Sequence, residues 1–115
     1  GQCTWFAWGR FYELYGYDPG FSGDGSSCVK ELVSAHPDKF ERSSSPKAGA
    51  VFSAIGHNHV GIVIAVKDNT ITVQEGNLDG ITNTFQDAKK DWQTKSYTLD
   101  QLRSIYGRVV FANPK

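Results

Sequence analysis

Three separate stretches of this sequence carry side chains able to attack a carbonyl, move a proton or orient the group that does: Cys3, His59, and Glu75 with Asn77. Cys3 opens a patterned apolar segment that reads as a helix. A thiol in the first turn of a helix sits beside unpaired backbone N–H groups and the positive end of the dipole. Both stabilise the thiolate, which is a strong nucleophile near neutral pH. The bland use of such a cysteine is as a small buried filler. Gln2, just before it, carries an amide that can donate to a developing oxyanion beside the Cys3 backbone N–H.

His59 heads a β-branched run. Alternation puts His59, Gly61, Val63 and Ala65 on one strand face, and Ile71, Val73, Glu75 and Asn77 share a face of the next strand. Lys67-Asp68-Asn69 fits a three-residue turn with Asn69 in the left-handed position. Val66 then pairs with Thr70, which sets His59 opposite Asn77 and Gly61 opposite Glu75. Cross-strand neighbours are close enough to touch, and Gly61 leaves Glu75 room to lean towards His59. A register slip of one residue would destroy the arrangement. An acceptor on one ring nitrogen fixes the imidazole tautomer and leaves the other nitrogen to take a thiol proton. This is nucleophile, base and orienter logic; the alternative is a pair of polar strand-end residues with a merely hydrogen-bonded histidine.

The other chemistry-bearing residues give weaker signals. His57, His59 and Glu75 would share a face if the strand extended back, but two histidines at i, i+2 and one carboxylate are a poor metal signature. Asp18, Asp24 and Asp79 lack the spacing of a calcium loop. His36, before Pro37, reads as a surface residue at a helix end. Cys3 and Cys28 allow one disulfide at most, and no second cysteine lies near either, which argues against a zinc ribbon. Cys28 is expected to be buried at the head of its own helix and not bonded to Cys3. Trp5 and Trp92 are candidates to line a substrate groove, with Tyr97 a further one.

The elements that must position these groups follow from pattern. Residues 3–15 read as a helix whose stripe is Trp5, Trp8, Tyr12 and Tyr15, widened by Phe11 and Leu14, with Gly16 as the stop. A second helix spans 28–35 with Ser27 as N-cap and Pro37 beyond its end. Strands are expected over 50–54, 60–66, 70–77, 92–97 and 109–112. Thr98-Leu99-Asp100-Gln101 is a capping-box pattern opening a short helix over 99–106. Residues 20–27 and 43–46 read as loops. The order, helices and then an antiparallel sheet, is α+β.

With 115 residues the chain is one domain. Twelve basic and twelve acidic residues cancel, which argues against a nucleic-acid grip or a polybasic membrane patch. No apolar run approaches the ~18 residues of a membrane span. No basic segment followed by an apolar stretch stands at the front. The abrupt start at Gly1-Gln2-Cys3 reads as a domain cut from a longer protein.

Gly1-Gln2-Cys3-Thr4-Trp5, Asn58-His59-Val60-Gly61-Ile62-Val63 and Glu75-Gly76-Asn77 together resemble the three motifs of the CHAP family, the cysteine, histidine-dependent amidohydrolases/peptidases. The resemblance implies a papain-like α+β fold, with N-terminal helices packed on an antiparallel sheet. It implies hydrolysis of amide bonds in bacterial peptidoglycan, as an endopeptidase or an N-acetylmuramoyl-L-alanine amidase. Cys3 becomes the nucleophile, His59 the general base, Glu75 or Asn77 its orienter, and Gln2 an oxyanion-hole donor. Such domains usually sit in phage lysins or secreted wall hydrolases beside wall-binding or second catalytic domains. The expected form is a monomer with no cofactor, acting at the cell wall with peptidoglycan as its partner, and not on nucleic acid or membrane. Some members bind calcium in a loop ahead of the cysteine, where this sequence offers nothing to judge. Gly49-Ala50 stands where many members have Gly-Asp. The alternatives are a catalytically silent wall-binding or scaffold domain, and a hydrolase of the related NlpC type, which normally uses a second histidine as orienter.

Overall fold

The computed structural model describes residues 2–76 and 93–115, Gln2 and Cys3 by their backbone alone. The chain runs α1 (Gln2–Tyr15), a 3₁₀ turn (Gly25–Ser27), α2 (Cys28–Ala35), β1 (Phe40–Ser43), β2 (Val51–Ala54), β3 (His59–Lys67), β4 (Thr70–Glu75), β5 (Gln93–Thr98), α3 (Leu99–Tyr106) and β6 (Val109–Pro114). Six strands form one sheet in the order β1-β6-β2-β3-β4-β5, and each neighbouring pair is antiparallel. The architecture is α+β, as the element order implies. No helix among the described residues is long and apolar enough to cross a membrane.

The sheet is covered on both faces, because its central strands carry apolar residues at consecutive positions. Val51, Val60, Ile62, Val110 and Ala112 pack with Phe11 of α1 and Cys28, Val29 and Leu32 of α2. Their strand neighbours Phe52, Val63, Val109 and Phe111 face the other way and pack with Leu102 of α3. Sequence pattern anticipates the first layer. The second depends on α3, whose capping box forms as expected: Gln101 N–H donates to Thr98 Oγ1 at 3.1 Å and Thr98 N–H to Gln101 Oε1 at 2.9 Å.

Several local expectations are corrected. The apolar face expected on α1 is buried only in part: Phe11 is buried and Trp8 and Tyr15 pack on the core, but Trp5, Tyr12 and Leu14 are about half exposed, and Phe6 and Ala7 are buried in their place. Trp8 stacks on the exposed Tyr12 ring, with centroids 5.6 Å apart. Ser27 gives no side-chain cap to α2. It already follows a helical turn, its N–H donating to the Asp24 carbonyl at 3.0 Å, and the Val29 N–H is satisfied instead by Ser53 Oγ of β2 at 3.1 Å. Strand β1 has no alternating apolar signature, only Phe40 being buried in it, and is held by pairing with β6.

The β3–β4 hairpin departs from expectation twice, and the two departures cancel. Lys67 pairs with Thr70, so the turn is the two-residue Asp68-Asn69, with Asp68 rather than Asn69 left-handed at φ 54°. A bulge between Val63 and Ala65 then adds one residue to β3. Beyond it Val63 pairs with Val73 and Ile62 with Gln74, the register expected for the end of the hairpin that carries His59 and Glu75.

Candidate active site

His59 begins β3 and Glu75 ends β4, so both lie at the same end of the sheet. Both are buried, at 3% and 4% exposure. Their side chains meet: His59 Nε2 donates to Glu75 Oε1 at 2.7 Å. Two more donors converge on the carboxylate, the Tyr106 hydroxyl on Oε1 at 2.7 Å and the Tyr97 hydroxyl on Oε2 at 3.0 Å. Tyr106, the last residue of α3, also lays its ring along the imidazole, with centroids 4.8 Å apart and planes 18° from parallel.

The start of β3 is held by backbone contacts that require a glycine. A Cβ on Gly25 would lie 2.8 Å from the Asn58 carbonyl oxygen and 2.8 Å from the His59 carbonyl carbon, so only glycine lets the 3₁₀ turn approach this closely. Ser26 N–H and Oγ each donate to Asn58 Oδ1 at 3.1 Å, and Asn58 itself is left-handed at φ 52°. Gly61 serves a different purpose from the one its position opposite Glu75 suggests. The space a Cβ would take is filled by the Phe52 ring of β2, 2.5 Å away, and that ring flanks His59 at 5.9 Å.

Burial pushes the Glu75 carboxyl up. Hydrogen bonds from His59 and Tyr106, the charge of His59 and the hydrogen bond from Tyr97 outweigh it, so the net shift is down. The group is an ionised acceptor. Its proton-bearing neighbour on the imidazole is therefore Nε2–H, and Nδ1 is the nitrogen not committed to the carboxylate. Burial, then the Glu75 charge, raises the Tyr97 hydroxyl to about 12. Burial, then the hydrogen bond to Glu75, also raises Tyr106. Both tyrosines remain donors across the neutral range.

Gln2 and Cys3 lie in the first turn of α1, the position expected for a nucleophile and its neighbouring amide donor. Asn77 and Trp92 lie outside the described residues. His57 belongs to the β2–β3 turn and not to a strand. Its ring meets Tyr106 edge-on at 6.0 Å, and among the described residues no group of three or more His, Cys, Asp or Glu is placed to hold a metal. Cys28 is buried with a reduced thiol, its Sγ directed at the Asp24 carbonyl at 3.5 Å. Trp5 does border a recess, of about 350 Å³, with Thr4, Trp8 and Ser22. A larger recess of about 510 Å³ lies at the opposite end of the β3–β4 hairpin, around Asp68, Asn69 and Leu99, away from His59. Tyr106 carries no sequence motif, and Tyr97 reads only as a groove candidate. The one signal for either is that a buried carboxylate needs more donors than one histidine supplies.

An antiparallel sheet with a cysteine in the first turn of its leading helix and a buried histidine–carboxylate pair at the sheet end has the components of a cysteine-dependent hydrolase. The CHAP domain model matches residues 1–77, and the chain belongs to that family. CHAP domains are generally hydrolases of cell-wall amide bonds. Among solved structures, the crystal structure of Ly7917 aligns with a TM-score of 0.51 at 21% identity, over 83% of this chain. The chain spans 40% of the length of that structure's chain, and at this identity the likeness bears on the fold. No curated protein matches the chain.

Proposed function

We propose that this chain hydrolyses amide bonds of bacterial peptidoglycan by a thiolate mechanism in a papain-like arrangement, with Cys3 as nucleophile, His59 as general base and Glu75 as the principal orienter. The single observation that carries the reading is the buried 2.7 Å contact between His59 Nε2 and Glu75 Oε1. A carboxylate on Nε2 leaves the Nδ1 lone pair to take the Cys3 proton. The helix N-terminus and the resulting imidazolium both stabilise the thiolate.

The thiolate sulfur bonds to the amide carbonyl carbon, and the carbonyl electrons move to oxygen. Gln2 and the Cys3 backbone N–H would donate to that oxyanion. As the C–N bond breaks, His59 returns its proton to the leaving amine and a thioester remains. Water, deprotonated by His59, then releases the acid and restores the thiol. Asn77 follows Glu75 closely enough to be a second partner of His59. Trp5, about half exposed at a recess beside the first turn of α1, and Trp92 are offered as substrate contacts.

The place of action is the cell wall, as a secreted or phage-borne lysin, in a monomeric unit joined to wall-binding or further catalytic domains. Nothing in the mechanism calls for a cofactor. The test is turbidity loss of purified cell walls with Cys3→Ser. A serine hydroxyl has no comparable access to its anion at neutral pH, so the rate should fall on the order of 10⁴-fold with the far-UV CD spectrum unchanged. Lysis near the wild-type rate by folded Cys3→Ser would remove Cys3 from the mechanism.

A further inference from the structure

Glu75 receives more donors than orienting a histidine requires. His59 and Tyr106 share Oε1, and Tyr97 takes Oε2. The two hydroxyls come from different elements, β5 and α3, and both lie outside residues 1–77 that carry the family motifs. We propose that Tyr106 and Tyr97 are positioning residues of this site: their hydroxyls hold Glu75 ionised and aimed at His59 Nε2, and the Tyr106 ring fixes the plane of the imidazole. The role in catalysis rests on the hydrolase reading above; the role in fixing the histidine does not.

The geometry gives each tyrosine a distinct part. A carboxylate buried at 4% exposure tends to take up a proton. A protonated Glu75 would lose acceptor capacity at the atom that holds His59. Hydroxyl donors on both oxygens oppose that protonation. They also spread the anionic charge, which keeps the shared proton on the imidazole instead of letting it pass to the carboxylate. The near-parallel Tyr106 ring, 4.8 Å from the imidazole, opposes ring rotation, and Phe52 closes in at a steeper angle, 5.9 Å away. The raised values of both tyrosines keep their protons in place throughout the working range.

The ionisable groups around the pair come from every packed element. His59 belongs to β3, Tyr97 to β5, Tyr106 to α3 and His57 to the β2–β3 turn. Arg10 of α1 is engaged by Gln74 Oε1 at 2.8 Å and by Glu13 at 3.6 Å. His57 touches Tyr106 and not the carboxylate, so it serves as the control.

The experiment compares wild type, Tyr106→Phe, Tyr97→Phe and His57→Gln in pH–rate profiles on a soluble muropeptide and in ¹⁵N NMR of the His59 ring. Tyr106→Phe keeps the stacked ring and loses one donor. Glu75 then takes its proton at higher pH, the acid limb moves up, kcat at pH 7 falls about 10-fold, and KM stays within about twofold. Tyr97→Phe moves the limb the same way by less. His57→Gln leaves it in place. In a Glu75→Gln background, Tyr106→Phe no longer moves the limb at all. In the NMR arm the Nε2–H tautomer of His59 dominates in wild type and gives way to a mixture in Tyr106→Phe, whether or not the chain hydrolyses anything.

Thermal unfolding of each variant checks its fold, and Tyr97→Phe carries the test at the other oxygen should Tyr106→Phe fail to fold. An unmoved acid limb together with an unchanged His59 tautomer in both tyrosine variants overturns the proposal. So does an effect of Tyr106→Phe that survives in the Glu75→Gln background, or a His57→Gln shift as large as that of Tyr106→Phe. If wild type hydrolyses no wall material, the hydrolase reading fails and the NMR arm alone decides the positioning role.

Discussion

Under α1 and α2, the first face of the sheet is filled by a cluster around Phe11, whose ring meets Tyr15 at 4.5 Å, Tyr17 at 5.5 Å and Phe40 at 5.6 Å. Under α3, the second face begins in the same way, with Phe52, Val63 and Phe111. Towards the start of β3 it changes to His59, Glu75, Tyr97 and Tyr106, joined by hydrogen bonds. Apolar contacts are non-directional and tolerate adjustment, whereas a buried polar cluster demands a partner for every donor and acceptor. One sheet therefore carries two kinds of sensitivity. Damage to the first face should appear in stability, and damage to the second in rate and pH dependence.

The largest effect that would sharpen this contrast is on the first face. Phe11→Ala removes a fully buried ring and should cost about 3–5 kcal/mol of unfolding free energy, while the folded fraction keeps kcat within about twofold. Urea melts and active-site-normalised rates check this. A fall in kcat of tenfold or more at full foldedness would show that the first face shapes the chemistry directly.

On the second face, Glu75→Gln keeps shape and removes charge. It should lower kcat by about 10- to 100-fold with little change in KM, and move the His59 titration to lower pH, because an amide does not stabilise imidazolium as a carboxylate does. Asn77→Ala should cost less. NMR titration of His59 and pH–rate profiles on a soluble muropeptide measure both. The reverse order of losses would make Asn77 the main partner.

The smallest effect is on stability against pH. Glu75 is held below its ordinary value in the folded chain. Its contribution is therefore fully present above the unfolded value, about 4.3, and is lost as pH falls through the lower folded value. Urea midpoints for wild type should drop below about pH 4 more steeply than those of Glu75→Gln. Parallel curves would mean that Glu75 ionises alike in both states.

Much of the first face and half of the second were legible in the sequence. Helical spacing located α2, the capping box located α3, and alternation placed His59 and Glu75 on one face. The hairpin register came out correctly at the site although the turn is one residue shorter, because the bulge near Ile64 restores it; a bulge leaves no mark in a run as uniform as Val60–Val66. The buried face of α1 was legible in Phe11, Trp8 and Tyr15 but not in Phe6 and Ala7, because aromatics occur all round the helix and periodicity alone does not say which of them face the sheet. Strand β1 exists by pairing and not by pattern. Tyr106 lies 31 residues beyond Glu75, at the far end of its helix from the capping box and in no motif of its own, and only three-dimensional closure brings its hydroxyl to the carboxylate.

The central claim is cysteine-dependent cleavage of wall amide bonds, and mass spectrometry of a digest tests it most directly. Purified peptidoglycan is incubated with the chain before and after alkylation with iodoacetamide, with peptide mapping to show that Cys3 carries the label and buried Cys28 does not. The account predicts fragments with new amine termini and intact glycan strands, produced by the untreated chain and absent after Cys3 is alkylated. Fragments with new reducing sugar ends, or amide cleavage that survives Cys3 alkylation, would contradict it.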